Sequence, residues 1–473
     1  VTSSPVQADR TPPPTAATLG ALRAAGHRYR TVKEEIRHNL TQAMRAGRAR
    51  FPGIVGYDDS VLPELERALL AGHDLVLLGE RGQGKTRIAR SLIGLLDEWT
   101  PAIDGSEIVE HPCHPITPWA RRLAAELGDD LPVTWVHRSM RYGEKLATPD
   151  TSVGDLVGDI DPTKVAEGRR LGDPETVHYG LVPRTNRGVF VVNELPDLAE
   201  RIQVALLNVL EERDIQVRGY SLRLPLDLLL VATANPEDYT NRGRIITPLK
   251  DRFGAEVRTH YPRTVTDEIA LVRQEARLVA GVPDPVLEVI AHFARGVRAS
   301  PAVDQRSGVS ARFAVACAEG AAASALRRGA LTGEADPVAR VGDLSAVVPT
   351  LRGKVEFEMG HEGRERDVLD HLVRVSIAEV FRERVRGADL SPITDRFAEG
   401  ATVEDGDLVP SAMLLEQLGP VPGLARLLDA LGMDEASTPE EVACGVELLL
   451  EGLHLTRRLA KDEVGDGRAV YSG

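Results

Sequence analysis

No stretch of this 473-residue chain approaches the roughly eighteen consecutive apolar residues of a membrane-spanning helix, and its N-terminus lacks a charged-then-apolar signal pattern. Cysteine is scarce. Cys113, Cys317 and Cys444 are scattered and form no closely spaced, even framework, which excludes a disulfide scaffold and fits a reducing compartment. Basic residues are in deficit, 57 Lys and Arg against 71 Asp and Glu; the formal charge of −14 disfavours non-specific binding of polyanions by the chain as a whole. No internal repeat is present. The expectation is a cytoplasmic protein without membrane insertion, for which nucleic acid is an unlikely partner. At roughly 100–200 residues per domain, its length suggests three units.

Residues 1–16, VTSSPVQADRTPPPTA, are proline-rich with almost no large apolar group, so they cannot offset the entropy of ordering and a flexible tail is predicted. Residues 17–50 read as a basic helical arm, with Arg23, Arg28, Arg30, Lys33, Arg37, Arg45, Arg48 and Arg50 against Glu34 and Glu35. Such a face is either solvated or a docking arm for a neighbouring subunit. Residues 51–262 alternate short apolar runs with helical patterns, the mark of a doubly wound α/β domain with a largely parallel sheet. Leu75–Leu78, Val189–Val192 and Leu228–Val231 are its buried strands, and Leu198, Ile202, Leu206 and Leu210 place an apolar stripe on a helix packed against the sheet. In residues 263–352 strand signals vanish and helix starts appear at Thr266 and at Asp284, where Pro285 suits the first helical position. This stretch is expected to be a small helical domain. Residues 353–473 read as a further helical extension with Gly- and Pro-rich joints such as Gly419–Gly423, and no catalytic motif is found there.

Chemistry concentrates at Gly79, Glu80, Arg81, Gly82, Gln83, Gly84, Lys85 and Thr86, which fit G-x-x-x-x-G-K-[ST] between a buried strand and the helix opening with Arg87. Glycines let backbone amides turn inward to cradle phosphates, while the helix N-terminus adds partial positive charge. Lys85 is placed to reach the β- and γ-phosphates of ATP, and Thr86 to offer its hydroxyl to magnesium. A second element, VFVVNE, ends a strand with Asn193 where an Asp is usual. A neutral amide can still bond a magnesium-bound water but forfeits charge, so Asn193 is a metal-site residue through water only. Glu194 is the candidate to orient or activate the attacking water. Asn235, closing the third strand, can bridge that water and the γ-phosphate. Arg252 sits in a surface run, LKDRF, suited to stabilising a transferring phosphoryl group. Arg312 opens a helix from which it could reach over the γ-phosphate, with Arg306 as competitor. On shape alone, Asn193→Asp is expected to fold normally while restoring a charge.

From Phe51 to Arg312 these elements resemble the AAA+ proteins of the magnesium-chelatase I-subunit and MoxR group. Phe51–Gly56, with Ile54, Val55 and Gly56, looks like the segment that lies along adenine there. Ser152–Gly188 resembles that group's helix-2 insertion, and Ile215–Leu224, alternating about a Gly turn, is expected to be the hairpin before sensor 1. The resemblance implies a P-loop AAA+ α/β domain, a helical lid and an additional helical region. It makes Lys85 and Thr86 Walker A, Glu194 the Walker B glutamate, Asn235 sensor 1, Arg252 the arginine finger and Arg312 sensor 2. It also implies ATP and Mg2+ as cofactors and a homo-oligomeric, hexameric ring. That ring would work with a von Willebrand factor A-domain partner to remodel or metal-load an unknown client.

Asn193 keeps open a second class, an assembly protein that binds ATP with little hydrolysis. A DNA-remodelling motor is a weaker third, resting on Arg218 and Arg223 of the hairpin. An enhancer-binding activator is disfavoured because no GAFTGA-like loop occurs. Glu110–Pro115, EHPCHP, offers Cys113, His111 and His114 as potential metal ligands but no second Cys/His pair at zinc spacing, so an ordinary loop is expected.

Overall fold

The apolar runs of the first half pair side by side because each is hydrophobic on both faces, which only a parallel sheet covered by helices on both sides can bury. The computed structural model describes residues 11–166, 176–211, 214–217, 220–236, 244–361, 363–465 and 467–473. In it, β1 (Leu75–Leu78), β2 (Tyr142–Leu146), β3 (Val189–Asn193), β4 (Leu229–Ala234) and β5 (Ala255–Arg258) form one sheet in the order β5-β1-β4-β3-β2. All four pairings are parallel, with Leu75 opposite Val231 and Ala255, and Val189 opposite Leu229 and Tyr142. The two outer strands went unseen in the sequence because YGEKL and AEVR carry no apolar run.

Alternation sorts the sheet's side chains into two cores. Leu75, Leu77, Val189, Val191, Leu229 and Val231 pack with helices Val32–Arg45, Val61–Ala71 and Lys85–Ser91. Val76, Leu78, Phe190, Val192, Leu230 and Ala232 pack on the opposite face with Leu198, Ile202 and Leu206, the last two from the helix Glu200–Glu211. That face of the helix is the one the leucine spacing predicted.

From Thr11 onward the N-terminal segment differs from both readings of it, while residues 1–10 of the expected tail lie outside the described residues. Thr11 donates through its N–H and hydroxyl to Glu98 at 2.7 Å, and Trp99 and Trp135 donate to the carbonyls of Thr11 and Ala16, so residues 11–16 are held against the chain rather than loose. The helix Val32–Arg45 is neither a solvated face nor a free arm, since Val32, Ile36 and Leu40 are fully buried in this chain's own core. Its Glu35 is buried as well. Arg141 forks both terminal nitrogens onto the Glu35 carboxylate at 2.7 Å, Arg187 stands 3.6 Å away, and Asp227 accepts from Arg187 and from the Val32 N–H. This knot of charge ties the arm to the residues that lead into β2, β3 and β4. Gly188 is required beside it, because a β-carbon there would lie 2.0 Å from the Arg141 carbonyl oxygen.

Three antiparallel pairs decorate this unit: Trp99–Ile103 with Val133–His137, Gly158–Ile160 with Val177–Tyr179, and Asp214–Val217 with Tyr220–Arg223. The second comes from the expected insertion and the third is the expected hairpin. Residues 167–175 of the insertion, Arg218 and Gly219, and the side chain of Arg223 lie outside the description.

The chain divides into two compact units, residues 1–80 with 84–260, and residues 81–83 with 261–473. The expected boundary between residues 352 and 353 is not there. One hydrophobic core runs from Val272 to Tyr471 and includes Phe293, Phe313, Phe381 and Leu450. The helices Asp284–Ala299, Arg312–Thr332 and Val341–Leu351 are thus packed into the same body as Glu365–Arg384 and Pro439–Leu455. Helix starts match the sequence within two residues, with Thr264 and Asp267 forming a capping box around the expected start at Thr266. The C-terminal stretch is also not purely helical. Val403–Gly406, Arg468–Ser472 and Ala460–Gly465 make an antiparallel sheet in that order. Among the described residues no helix is long and apolar enough to cross a membrane.

The buried knot yields a test. Replacing Glu35 by Ala leaves Arg141 buried without its carboxylate, which costs about 3–5 kcal/mol. Glu35→Ala should therefore lower the urea midpoint markedly, and the double variant Glu35→Leu/Arg141→Met should recover much of the loss. A single variant as stable as the parent would mean that the pair is not buried.

Candidate nucleotide site

Because the central strands run in one direction, the chain leaves β1, β3 and β4 at the same edge, through Gly79, Glu194 and Asn235 respectively. The ladder continues one residue into that edge, where the Gly79 N–H donates to the Ala234 carbonyl at 3.1 Å. After β1 the backbone turns through left-handed glycines, Gly82 (φ 75°) and Gly84 (φ 74°), the latter serving as N-cap of Lys85–Ser91. A β-carbon on Gly84 would meet nothing within 4 Å, so its freedom serves the turn and keeps open the space in front of the helix end. Lys85 extends its ammonium to the Gly79 carbonyl, to the Glu80 carbonyl at 2.8 Å and to Asn235 Oδ1 at 2.8 Å. The lysine and the strand-end asparagine, 150 residues apart, are thereby in direct contact.

Glu194 follows β3 in the left-handed region, φ 56° and ψ 49°, a conformation that costs a non-glycine residue about 1–2 kcal/mol. Its backbone N–H is held by the Thr233 hydroxyl at 3.0 Å. Its carboxylate makes no hydrogen bond or ion pair among the described residues. The Thr86 hydroxyl is likewise half-buried and unpartnered among them. An unspent carboxylate, an unspent hydroxyl, a cation and a glycine-lined opening fit the phosphates of a nucleotide with a divalent ion. Lys85 and the loop amides would hold the phosphates, and Thr86 and Asn193 would face the metal.

Asn193 is more constrained than its sequence position suggests. Strand alternation puts Tyr142, Glu144, Asn193 and Thr233 on the face that packs against Lys85–Ser91. The Asn193 amide nitrogen donates to Glu144 Oε1 at 2.6 Å, and its oxygen accepts from the Thr233 hydroxyl at 3.3 Å. Because a carboxylate only accepts, this contact fixes which end of the amide faces Glu144. Glu144 is in turn gripped by Arg90 through two bonds of 2.9 and 3.1 Å and by the Tyr142 hydroxyl at 2.9 Å. Burial alone would raise its pKa, but the bonds from Arg90 and Tyr142 outweigh that and hold it below the usual carboxylate range. Neither Glu144 nor Arg90 belongs to a recognisable motif, and no signal in the sequence announces them.

The remaining candidates are more dispersed. Gly53 lies against Arg87, where a β-carbon would come within 3.0 Å of the guanidinium, and Ile54 packs on the core beneath; Val55 and Gly56 follow. Arg252 ends the helix Thr247–Arg252, half-exposed, with Glu211 4.0 Å away. In the second unit Arg312 begins its helix as expected, its N–H bonded to the Ser310 hydroxyl at 3.2 Å, and Arg306 is drawn to Asp304 at 3.4 Å. Gly82 of that unit approaches Ser310 so closely that a β-carbon would lie 2.0 Å from its oxygen, and Gln83 beside it is buried.

The loop Glu110–Pro115 is built into the structure. Buried Glu110 accepts from the Ile116 and Thr117 N–H groups at 2.6 and 2.8 Å, His111 faces His27 at 3.0 Å, and Tyr29 stacks on His114. Burial pushes the His111 pKa down to about 2, keeping the ring neutral.

A parallel sheet of this order, with a glycine-rich loop after β1, an acid after β3 and an asparagine after β4, defines a P-loop protein of the AAA+ class. A family model described as the Sigma-54 interaction domain matches residues 171–252, from within the insertion to Arg252. The magnesium-chelatase 38 kDa subunit of Rhodobacter capsulatus is 31% identical over 227 residues, covering 47% of this chain and 59% of that protein. The chloroplastic magnesium-chelatase subunit ChlI-1 of Arabidopsis thaliana is 27% identical over 240 residues, 50% of this chain and 53% of that one. Over about half of its length the chain is thus similar in sequence to magnesium-chelatase I subunits. It spans little more than half the length of these two relatives.

The Asn193–Glu144 contact reverses one expectation. An Asp at position 193 would set two carboxylates against each other, where like charges about 4 Å apart repel by about 4 kcal/mol at an effective dielectric of 20. Asn193→Asp should therefore lose stability or take up a proton near neutral pH. Adding Glu144→Gln should recover most of the loss, with a coupling of at least about 1 kcal/mol in a double-mutant cycle. Additive effects of the two substitutions on the thermal midpoint would show that the two side chains do not touch.

Proposed function

We propose that this protein binds ATP with magnesium at the edge formed by Gly79–Thr86, Glu194 and Asn235, and hydrolyses it. The observation that carries the reading is the contact of Lys85 with Asn235 beside Glu194, whose backbone N–H is held by the Thr233 hydroxyl while its carboxylate bonds to none of the described residues. The motif residues of three strand ends converge here, and packing alone gives no reason for them to do so. Lys85 and the loop amides bind the phosphates. Thr86, and Asn193 through the free lone pair of its amide oxygen, hold the magnesium environment, while the ion itself supplies charge neutralisation on the phosphates. Asn235 positions the water and Glu194 accepts its proton.

Ile54, Val55 and Gly56 border the base in this reading, with Arg87 beside them. Arg252 acts across a subunit boundary in a homo-oligomeric ring, and the family likeness assigns Arg312 to the γ-phosphate. The MoxR-like role, with a hexamer that remodels or metal-loads a client alongside a von Willebrand factor A-domain partner in the cytoplasm, extends this proposal on the strength of the family likeness. The neutral amide at position 193 favours one competing reading, an assembly protein that closes on ATP and turns it over slowly. Residues 171–252 contain no GAFTGA-like run, which weighs against a transcription-activator role.

Titration with a fluorescent ATP analogue tests the site. Lys85→Ala should weaken binding by at least about 100-fold, equivalent to 2.7 kcal/mol, since the cradle loses its mobile cation. Unchanged affinity would sink the assignment. Glu194→Gln should keep binding and lose phosphate release, which separates hydrolysis from assembly.

The intersubunit role has its own test. Arg252→Ala protein should bind nucleotide without turnover, and mixing it with Lys85→Ala protein should restore some activity that neither has alone. No recovery in confirmed mixed oligomers would place the whole site within one chain.

A further inference from the structure

In the second unit the C-terminal ends of the helices Glu365–Arg384 and Pro439–Leu455 meet around a cavity of about 550 Å3. Its lining joins the apolar core at Val385 and Leu390, with Leu455 packed beside them. Its rim carries three exposed guanidinium groups, those of Arg382, Arg457 and Arg458. None of the three makes a side-chain hydrogen bond or ion pair among the described residues.

The neighbouring charges are engaged elsewhere. Glu379 and Glu383 lie 3.2 and 3.8 Å from His292, and Arg384 is forked onto Glu288 at 2.8 Å. The end of the second helix is closed by backbone alone, with the N–H groups of Thr456, Arg457 and Arg458 donating to Gly452, His454 and Leu453 at 3.0, 2.8 and 2.8 Å. The three side chains are therefore not needed to cap it.

Arg457 adds a separate observation. Its φ of 62° puts it in the left-handed region just past a helix end, the position where glycine is the residue without strain. Local structure would select glycine there, yet a guanidinium stands at the cavity mouth. A long side chain held in a strained backbone at a concave site points to a ligand.

We propose that this cavity binds an acidic peptide segment of a partner protein. Its carboxylates would be taken by Arg382, Arg457 and Arg458, and one of its apolar side chains would enter against Val385, Leu390 and Leu455. Arginine suits this role because its planar fork pairs two-to-two with a carboxylate. A concave apolar wall with a few convergent polar groups is the usual form of a recognition pocket. A nucleic acid fits less well, since the chain carries a formal charge of −14 and the apolar wall offers nothing to a phosphate backbone. The proposal is independent of the nucleotide reading, because none of these residues belongs to that site.

The test is fluorescence anisotropy of the labelled peptide EELDELEE with the full chain at low salt. The neutral peptide QQLNQLQQ, an oligothymidylate and inorganic phosphate serve as competitors. The acidic peptide should bind, weaken as salt is added, and resist displacement by the neutral peptide. Arg457→Gly should reduce its affinity at least about tenfold while leaving the thermal midpoint unchanged or raised, an outcome that a merely structural arginine cannot give. Arg382→Gln/Arg458→Gln should weaken binding independently. The proposal is overturned if the acidic peptide does not bind, if the neutral peptide binds equally, or if both sets of variants keep full affinity. It is overturned too if the oligothymidylate or phosphate proves the stronger ligand with the same dependence on Arg457.

Discussion

The parallel pairing of β1, β3 and β4 is the constraint on which the rest of the first unit depends. Parallel strands put all their carboxyl ends at one edge, and the hydrophobic alternation locks each strand's register, because a slip of one residue would exchange the two buried faces. Gly79, Glu194 and Asn235 thereby become neighbours although the sequence separates them widely. The Lys85 to Asn235 bond and the Thr233 hydroxyl on the Glu194 N–H then follow as short-range consequences.

The same alternation explains why Asn stands where an acid is usual. Position 193 shares its face with position 144 on the adjoining strand, and Glu144 already occupies the space with its charge balanced by Arg90. A carboxylate and an amide make one good hydrogen bond, whereas two carboxylates repel. A carboxylate thus stands beside position 193 on the adjoining strand, and Asn193 is held with a fixed orientation. Its oxygen keeps Thr233, which in turn holds Glu194, so the substitution is integrated with the neighbouring candidate residue.

Burial of charge also organises regions far from that edge. Glu35, Arg141, Arg187 and Asp227 convert a basic N-terminal helix into part of the core. In the second unit Arg340 reaches Glu447 at 3.1 Å while Arg328 pairs with Asp343 at 2.8 Å, which knits the helix Val341–Leu351 to Pro439–Leu455. With 2% of Arg340's side chain and 3% of Glu447's exposed, such pairs tolerate no separation of the two segments, and burial pushes the Glu447 pKa upward against the pull of Arg340. A lid and an extension that look distinct in sequence are therefore one body.

The sequence by itself determined the glycine-rich loop, the three central strands, the face of the helix Glu200–Glu211, the helix starts near Thr264 and Asp284, and the placing of Glu194 and Asn235 at strand ends. Each of these is written locally, in a motif of fixed spacing or in a periodicity of two or 3.6 residues. Tertiary structure alone decided the rest. The strands β2 and β5 lack apolar runs and exist because partners extend to them. The arm is buried because its carboxylate meets an arginine 106 residues away. Glu144 and Arg90 matter because strand pairing and helix packing bring them to Asn193 from 49 and 103 positions distant in the chain. Local composition cannot encode such contacts, since their energy depends on which groups the fold removes from water together.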